Sequence, residues 1–536
     1  LLRRRQLLGG IAAFSAAAPA AHAQSSLGTP SAPSAAPNGN PQAPKRDDTT
    51  GAGYQRIVIA RWGDGVLPGA PPFNPNPLTA AQADTQFPYD AMIAGLITPP
   101  LAQDNIPRLV MVLGNPDAPA RMVFPGGIDQ PAVAGKLQGG TVMNLQYLNG
   151  RWVTVDGGYQ SRRLADGTLC QISGPVAASI GATVQGVLAP RAGCTTPWST
   201  ALLAEGDAAP WLTRLASTGL GFGDPAAAPK FGWVTEFDPL DPASFPTKRT
   251  ALGRFPRAGI AATRTPDGRP VIFMSQDDPA GCLFRFIAAT SATDGTALDS
   301  GTLSVAQIQD SAINWVALGS DIPSLAGTLG AAQTAGGSPF DAPAGIAIAT
   351  DGSATIYLAC AGNPARTPED TNPLNPRAGD GNGHIIAFHP PNGDPTATIF
   401  PAEIAIAAGN PATAAFTQYT AGSGTWFTQP RTLNLDSLGQ LWIGTDQQGS
   451  VSATADGLFT MQTGGDAKYL VNYAYLAPIG AAIGGAAFDP ATRTIFASVR
   501  HPGATSTATF DTPATRWPTL APNMPPQTTI IGLVGG

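Results

Sequence analysis

Apolar and polar residues alternate with a period of two over short runs along most of this chain, and the runs break at turns rich in Gly, Pro and Asp. Such alternation predicts half-buried β-strands, because successive side chains of a strand point to opposite faces. One unit recurs: a small residue, an alternating apolar run, a polar turn and a second apolar run. It occupies residues 259–274, 345–359, 432–446 and 485–499. Each copy predicts a two-stranded hairpin around a Gly- or Asp-containing turn, such as Pro266-Asp267-Gly268. The copies begin 86, 87 and 53 residues apart, which fits one or two propeller blades of about 40–50 residues plus insertions. Further strand-like runs at 56–62, 109–113, 141–148, 233–237, 283–287, 384–388 and 469–475 fill the gaps. The predicted class is all-β, a β-propeller with long loop insertions at 217–230 and 319–339; a β-sandwich or two stacked β-domains is the alternative.

Composition narrows this picture. The 536 residues include 63 Gly and 53 Pro, too much turn-forming residue for a helical bundle, while 43% apolar residues suffice for a buried core. The formal net charge of −6 excludes the basic surface that a nucleic-acid binder needs. The four cysteines, Cys170, Cys194, Cys282 and Cys360, show neither Cys-x-x-Cys pairing nor a histidine at metal-ligand spacing. Buried thiols are favoured over one or two disulfides.

Residues 1–23 read as an export signal. Arg3-Arg4-Arg5 and Gln6-Leu7-Leu8 precede an alanine-rich apolar run that ends in Ala21-His22-Ala23, the order of a twin-arginine signal with an A-x-A cleavage site. A bacterial periplasmic or secreted location follows, and no later run is long enough to span a membrane. Residues 24–53, rich in Ser, Ala, Pro, Gly and Asn, are expected to form a disordered linker, leaving 54–536 as the propeller domain.

Thr195-Thr196-Pro197-Trp198-Ser199-Thr200, Ala251-Leu252-Gly253-Arg254-Phe255, residues 375–386, residues 440–446 and His501-Pro502-Gly503 follow one another along the chain. In that order they resemble the PhoX-type alkaline phosphatases, which implies a decorated six-bladed propeller exported by the twin-arginine route. The resemblance also implies an iron and calcium cluster that binds a phosphate ester and prepares a metal-bound oxygen nucleophile. At the segments where the family carries its ligands this chain reads differently. Arg191 stands at the family's iron-binding cysteine, Arg257-Ala258 at its His-Glu, and Ala342-Pro343-Ala344 at its Arg-Pro-Glu. Pro430-Arg431-Thr432 replaces Pro-Asp-Gly, Ala482 replaces a glutamate, and Gly114-Asn115-Pro116 replaces Asn-His-Glu. The whole chain holds only four glutamates, Glu205, Glu236, Glu369 and Glu403.

A multi-calcium site needs many anionic oxygens at once, so the full cluster is expected not to form. The surviving candidate metal ligands are Glu205, Asp277 and Asp446. His384 and His501 are expected to close blades by hydrogen bonds, and Arg377 to bridge structure rather than bind an anion. The functional expectation is an exported phosphatase homologue with weak, altered or absent phosphomonoesterase activity on small phosphate esters. The alternatives are a non-catalytic extracytoplasmic binding propeller and an active phosphatase with a rebuilt calcium and iron site.

Overall fold

The first two strands of each sheet explain the architecture, because they are the recurring hairpins. The computed structural model describes residues 43–535 except 294, 415, 420–424 and 449–453; the export signal and most of the expected linker lie outside the described residues. The four repeats become Arg257–Arg264 with Pro270–Gln276, Pro343–Ile348 with Ile356–Cys360, Pro430–Leu435 with Leu441–Thr445, and Ala482–Asp489 with Thr494–Arg500. Two further hairpins complete the set: Met92–Ile97 with Arg108–Asn115, and Pro190–Thr195 with Ala201–Glu205. The innermost strands of these six hairpins neighbour one another in a closed ring. The protein is thus a six-bladed β-propeller.

Closure joins the two ends of the described chain. Tyr54–Arg61 pairs with Thr529–Gly535 and so supplies the outermost strand of the blade begun by Ala482–Asp489. The linker expectation needs correcting at its C-terminal end. Thr49–Thr50 extends the sheet of Pro430–Leu435 by pairing with Val471–Leu476, and Asp48 meets Arg56 at 2.6 Å. These residues are polar, but the open edge of the sheet satisfies their backbone.

The inner strands are rich in Gly and Ala because six of them converge on one narrow channel. Gly259 illustrates the constraint, since a Cβ there would collide with the Ala344 carbonyl of the next inner strand. Larger apolar side chains lie between blades, where each interface has its own buried cluster. Val271, Phe273, Leu358 and Ile386 fill one; Leu433, Ile443, Ala359 and Ile385 fill the next. Complete burial of a side chain such as Phe273 stabilises the fold by roughly 1.5–3 kcal/mol. A further cluster around Trp62, Tyr89, Phe124 and Trp211 packs short helices, including Pro131–Leu137 and Ala209–Leu215, over one side of the ring. Of the two predicted insertions, 319–339 contains the helices Ile322–Ala326 and Thr328–Thr334, and 217–230 ends in the 3-10 turn Pro225–Lys230.

Candidate functional site

Antiparallel pairing places the beginning of each innermost strand beside the end of the second strand. The register pairs Met92 with Gly114, Pro190 with Glu205, Arg257 with Gln276, Pro343 with Cys360, Pro430 with Thr445, and Ala482 with Arg500. All six pairs lie at one mouth of the channel. The segments singled out in the sequence, from 114–116 to Ala482, therefore assemble at a single rim although 366 residues separate Pro116 from Ala482. Below this rim Arg191 and Arg431 line a channel cavity of about 200 Å³, whose remaining wall is mostly Gly, Ala and Ile backbone and side chains.

The rim carries its own cations. Arg500 donates from Nε to Asp90 Oδ1 (2.7 Å) and from Nη2 to Asp90 Oδ2 (2.8 Å), and its Nη1 reaches Asp446 Oδ2 at 3.3 Å. One guanidinium thus bridges two carboxylates contributed by chain segments more than 350 residues apart. Burial opposes ionisation of Asp90, yet Arg500, His501 and Arg191 hold its carboxyl below the usual range. Burial likewise opposes ionisation of Asp446, and Arg500, His501 and Arg431 again prevail. Burial works against the charge of Arg500 too, but Asp90, Asp446 and Asp117 raise its pKa. One layer deeper, burial and then the charge of Asp446 push Asp456 up to about 7; Thr445 Oγ1 donates to it at 2.7 Å.

The three candidate ligands do not come together. Glu205 is fully buried in the body of its blade, where it forms an ion pair with Lys248 (2.7 Å) and accepts backbone N–H groups of Leu188, Gly232 and Trp233. Lys248 Nζ also lies 3.9 Å from the centre of the Phe231 ring. Glu205 is therefore a structural hub. Asp277 does reach the rim, where its Oδ2 lies 3.3 Å from Arg191 Nε, and Asp446 is held by Arg500. Among the described residues no three His, Cys, Asp or Glu side chains form a group able to hold a metal ion.

Other motif residues have inward roles. Arg257 is buried and donates to the carbonyls of Gly232, Leu252, Gly253 and Phe255, and burial pulls its pKa down to about 9. His384 donates from Nε2 to the Leu374 carbonyl at 2.9 Å, and burial lowers its pKa to about 3. His501 Nδ1 donates to the Gly480 carbonyl at 3.2 Å. Arg377 pairs with Asp380 (2.7 Å) and donates to the carbonyls of Gly383, Ala408 and Phe416. Asn115 turns inward, accepting from Thr141 Oγ1 and donating to the Asp90 carbonyl. All four cysteines are free thiols, and burial pushes that of Cys194 in the channel wall up to about 12. Sequence reasoning missed Asp90 and Arg500; the only signal was the position of Arg500 immediately before His501-Pro502-Gly503.

A six-bladed propeller with a polar rim at one channel mouth defines a class, and family comparison makes it specific. The chain belongs to the PhoX family: the model described as alkaline phosphatase PhoX matches residues 38–503. Its structure is similar to that of Pseudomonas fluorescens PhoX in complex with vanadate, a transition state analogue, with 25% identity, a TM-score of 0.81, and 92% of this chain and 97% of that chain covered. Two other solved structures are much less similar. A Dyadobacter fermentans protein of unknown function has 9% identity and a TM-score of 0.39, covering 89% of this chain and 98% of its own. The gluconolactonase XC5397 of Xanthomonas campestris has 12% identity and a TM-score of 0.35, covering 93% and 98%. No curated protein sequence matches the chain. The family is one of exported metalloenzymes, and no helix among the described residues is long and apolar enough to cross a membrane.

Proposed function

We propose that this protein is an exported PhoX-family propeller in which arginine side chains stand where the family binds cations. Its metal-dependent phosphomonoesterase activity is then weak or absent, and its channel mouth serves for binding. The bridging of Asp90 and Asp446 by Arg500 carries this reading. The residues at the rim do not fit an iron and calcium cluster. Calcium takes six to eight oxygen ligands, several of them carboxylate. Here Asp90 and Asp446 share one guanidinium, Asp277 faces Arg191, and Glu205 is turned away onto Lys248. Arg191 and Arg431 would also repel an incoming cation. Export by the leading 23 residues belongs to the same proposal.

Elemental analysis of the purified mature protein, combined with p-nitrophenyl phosphate hydrolysis in the presence of calcium and iron, tests it. The expected result is substoichiometric metal and turnover indistinguishable from background. Stoichiometric iron with robust turnover would establish the rebuilt phosphatase instead.

A further inference from the structure

The innermost strands start at the rim and run to the opposite mouth of the channel. Pro190–Thr195, Arg257–Arg264 and Pro343–Ile348 begin in the rim pairs, so Thr195, Arg264 and Ile348 end them on the far face. The turns beyond these strands enclose a cavity of about 1010 Å³, with Trp198 in one wall and Thr263, Arg264, Ser291 and Thr350 around it. Trp198 is held in place. Its Nε1 donates to Glu236 Oε1 at 3.2 Å, and the same buried carboxylate accepts from Thr200 Oγ1 and from Arg249 Nε, each at 2.8 Å. With its N–H so engaged, the half-buried indole offers the cavity only its carbon surface. A second cavity of about 290 Å³ adjoins the first at Trp198 and Ala292, and Phe245, 57% exposed, stands in its wall.

We infer that this far mouth is a carbohydrate-binding site, in which a neutral oligosaccharide stacks the C–H face of one sugar ring on Trp198 and hydrogen-bonds to the hydroxyls around it. The site is separate from the rim and does not depend on whether metal binds there. Three properties of the wall select this chemistry. Its charged residues among those described are Arg264 and Asp267, one of each sign, so neither an anion nor a cation meets a net attractive field. Its hydroxyls are uncommitted: among the described residues those of Thr263 and Thr350 make no hydrogen bond within the protein, and Ser291 Oγ has only contacts of 3.4 Å. A hydroxyl both donates and accepts, and so do the hydroxyls that surround a sugar ring. The volume lies at the upper end of the roughly 300–1,000 Å³ typical of small-molecule pockets, which suits several linked sugar units better than one. An apolar ligand would leave these hydroxyls and the Arg264 guanidinium without partners. Arg264 has neither an ion pair nor a side-chain hydrogen bond among the described residues, and its fork of donors suits adjacent hydroxyl oxygens of a sugar.

Isothermal titration calorimetry of the mature protein with maltohexaose, cellohexaose, laminarihexaose and chitohexaose tests the inference. Saturable one-to-one binding of at least one of them is expected. Trp198→Ala should weaken that binding about ten-fold or more by removing the stacking surface, and Trp198→Phe, which keeps a ring, should lose less. Thr350→Arg should also weaken it, by filling the cavity from an exposed turn position. That variant leaves the core untouched, so the test holds even if Trp198→Ala melts early. Arg214→Gln, paired with Asp129 on the helix Ala209–Leu215 and away from the cavity, leaves binding unchanged. In hydrogen exchange the bound sugar should slow the amides of 263–268 and 348–352 and leave those of 500–503 at the rim as they were. Wild-type protein that binds none of the four sugars overturns the inference, as does binding that survives both Trp198→Ala and Thr350→Arg, or that protects the rim instead.

Discussion

Replacing Arg500 by methionine keeps much of the side-chain volume and removes the charge that Asp90 and Asp446 share. Asp90 is 1% exposed, and its carboxylate is bound by Arg500 at 2.7 and 2.8 Å. Breaking such a buried pair from one side costs about 3–5 kcal/mol, because it leaves an uncompensated charge in the interior. The pH dependence separates this mechanism from simple loss of packing. In the wild type Asp90 and Asp446 titrate below their ordinary values. They therefore contribute stability above the unfolded-state pKa that is lost as the pH falls through the folded-state one. Without Arg500, burial raises both carboxyls instead, so protonation relieves the folded state and the variant gains stability as the pH falls from 8 towards 5. Urea denaturation across that range should show the gap between wild type and Arg500→Met shrinking with acidity. The double variant Asp90→Asn with Arg500→Met should recover a large part of the loss, as coupled neighbours do. A gap below about 1 kcal/mol, against the 3–5 kcal/mol of a broken buried pair, or one that does not change with pH, would refute the view that Arg500 is the resident cation of the rim.

Glu205→Gln should lower the thermal midpoint sharply, since it strands the fully buried Lys248 ammonium at a cost of about 3–5 kcal/mol; a melt within a degree or two of wild type would show that the hub is not ionic. Asp456, raised to about 7, makes the native state bind a proton that the unfolded chain has released, so stability should fall as the pH rises from about 4 to 7. Asp456→Asn should flatten that decline in urea titrations and raise stability at pH 8. His384, pulled down to about 3, stays neutral in the fold while the unfolded chain protonates below about 6.5, so its contribution is lost on acidification below that value; replacing it with Gln and comparing melts at pH 7 and 5 isolates the term.

The hairpins were legible because their alternation and turns are local properties. Thr432–Asp446 announces two strands with no help from the rest of the chain, and the structure pairs Leu433 with Ile443 as that pattern requires. The blades begun by Met92–Ile97 and Pro190–Thr195 escaped recognition as repeats. A ten-residue loop separates the first from its partner strand, and the second turns through Pro197-Trp198 in place of Asp-Gly. At the site, the motif segments indicated which stretches converge, but spacing could not say which way a side chain turns. Glu205 keeps its place after Thr-Pro-Trp and points into the blade, because Lys248 on a neighbouring part of the sheet offers a buried partner. Asp90 and Arg500 are 410 residues apart, and no local pattern predicts a contact that exists only once the ring has closed.

What holds the ring is separate from what lines its mouth, so the scaffold does not depend on the balance of charge at the rim. The inter-blade clusters consist of side chains from the middle of the strands, such as Phe273, Leu358, Trp442 and Phe496, and none includes Arg191, Arg431 or Arg500. Ring closure rests on the backbone ladder between Tyr54–Arg61 and Thr529–Gly535, which is indifferent to the chemistry of the rim. The rim must satisfy only local neutrality: a buried carboxylate requires a cation, whether an ion from solution or a guanidinium from the chain. Once Arg500 supplies that cation, Asp90 and Asp446 gain their partner on folding and need no metal to remain ionised.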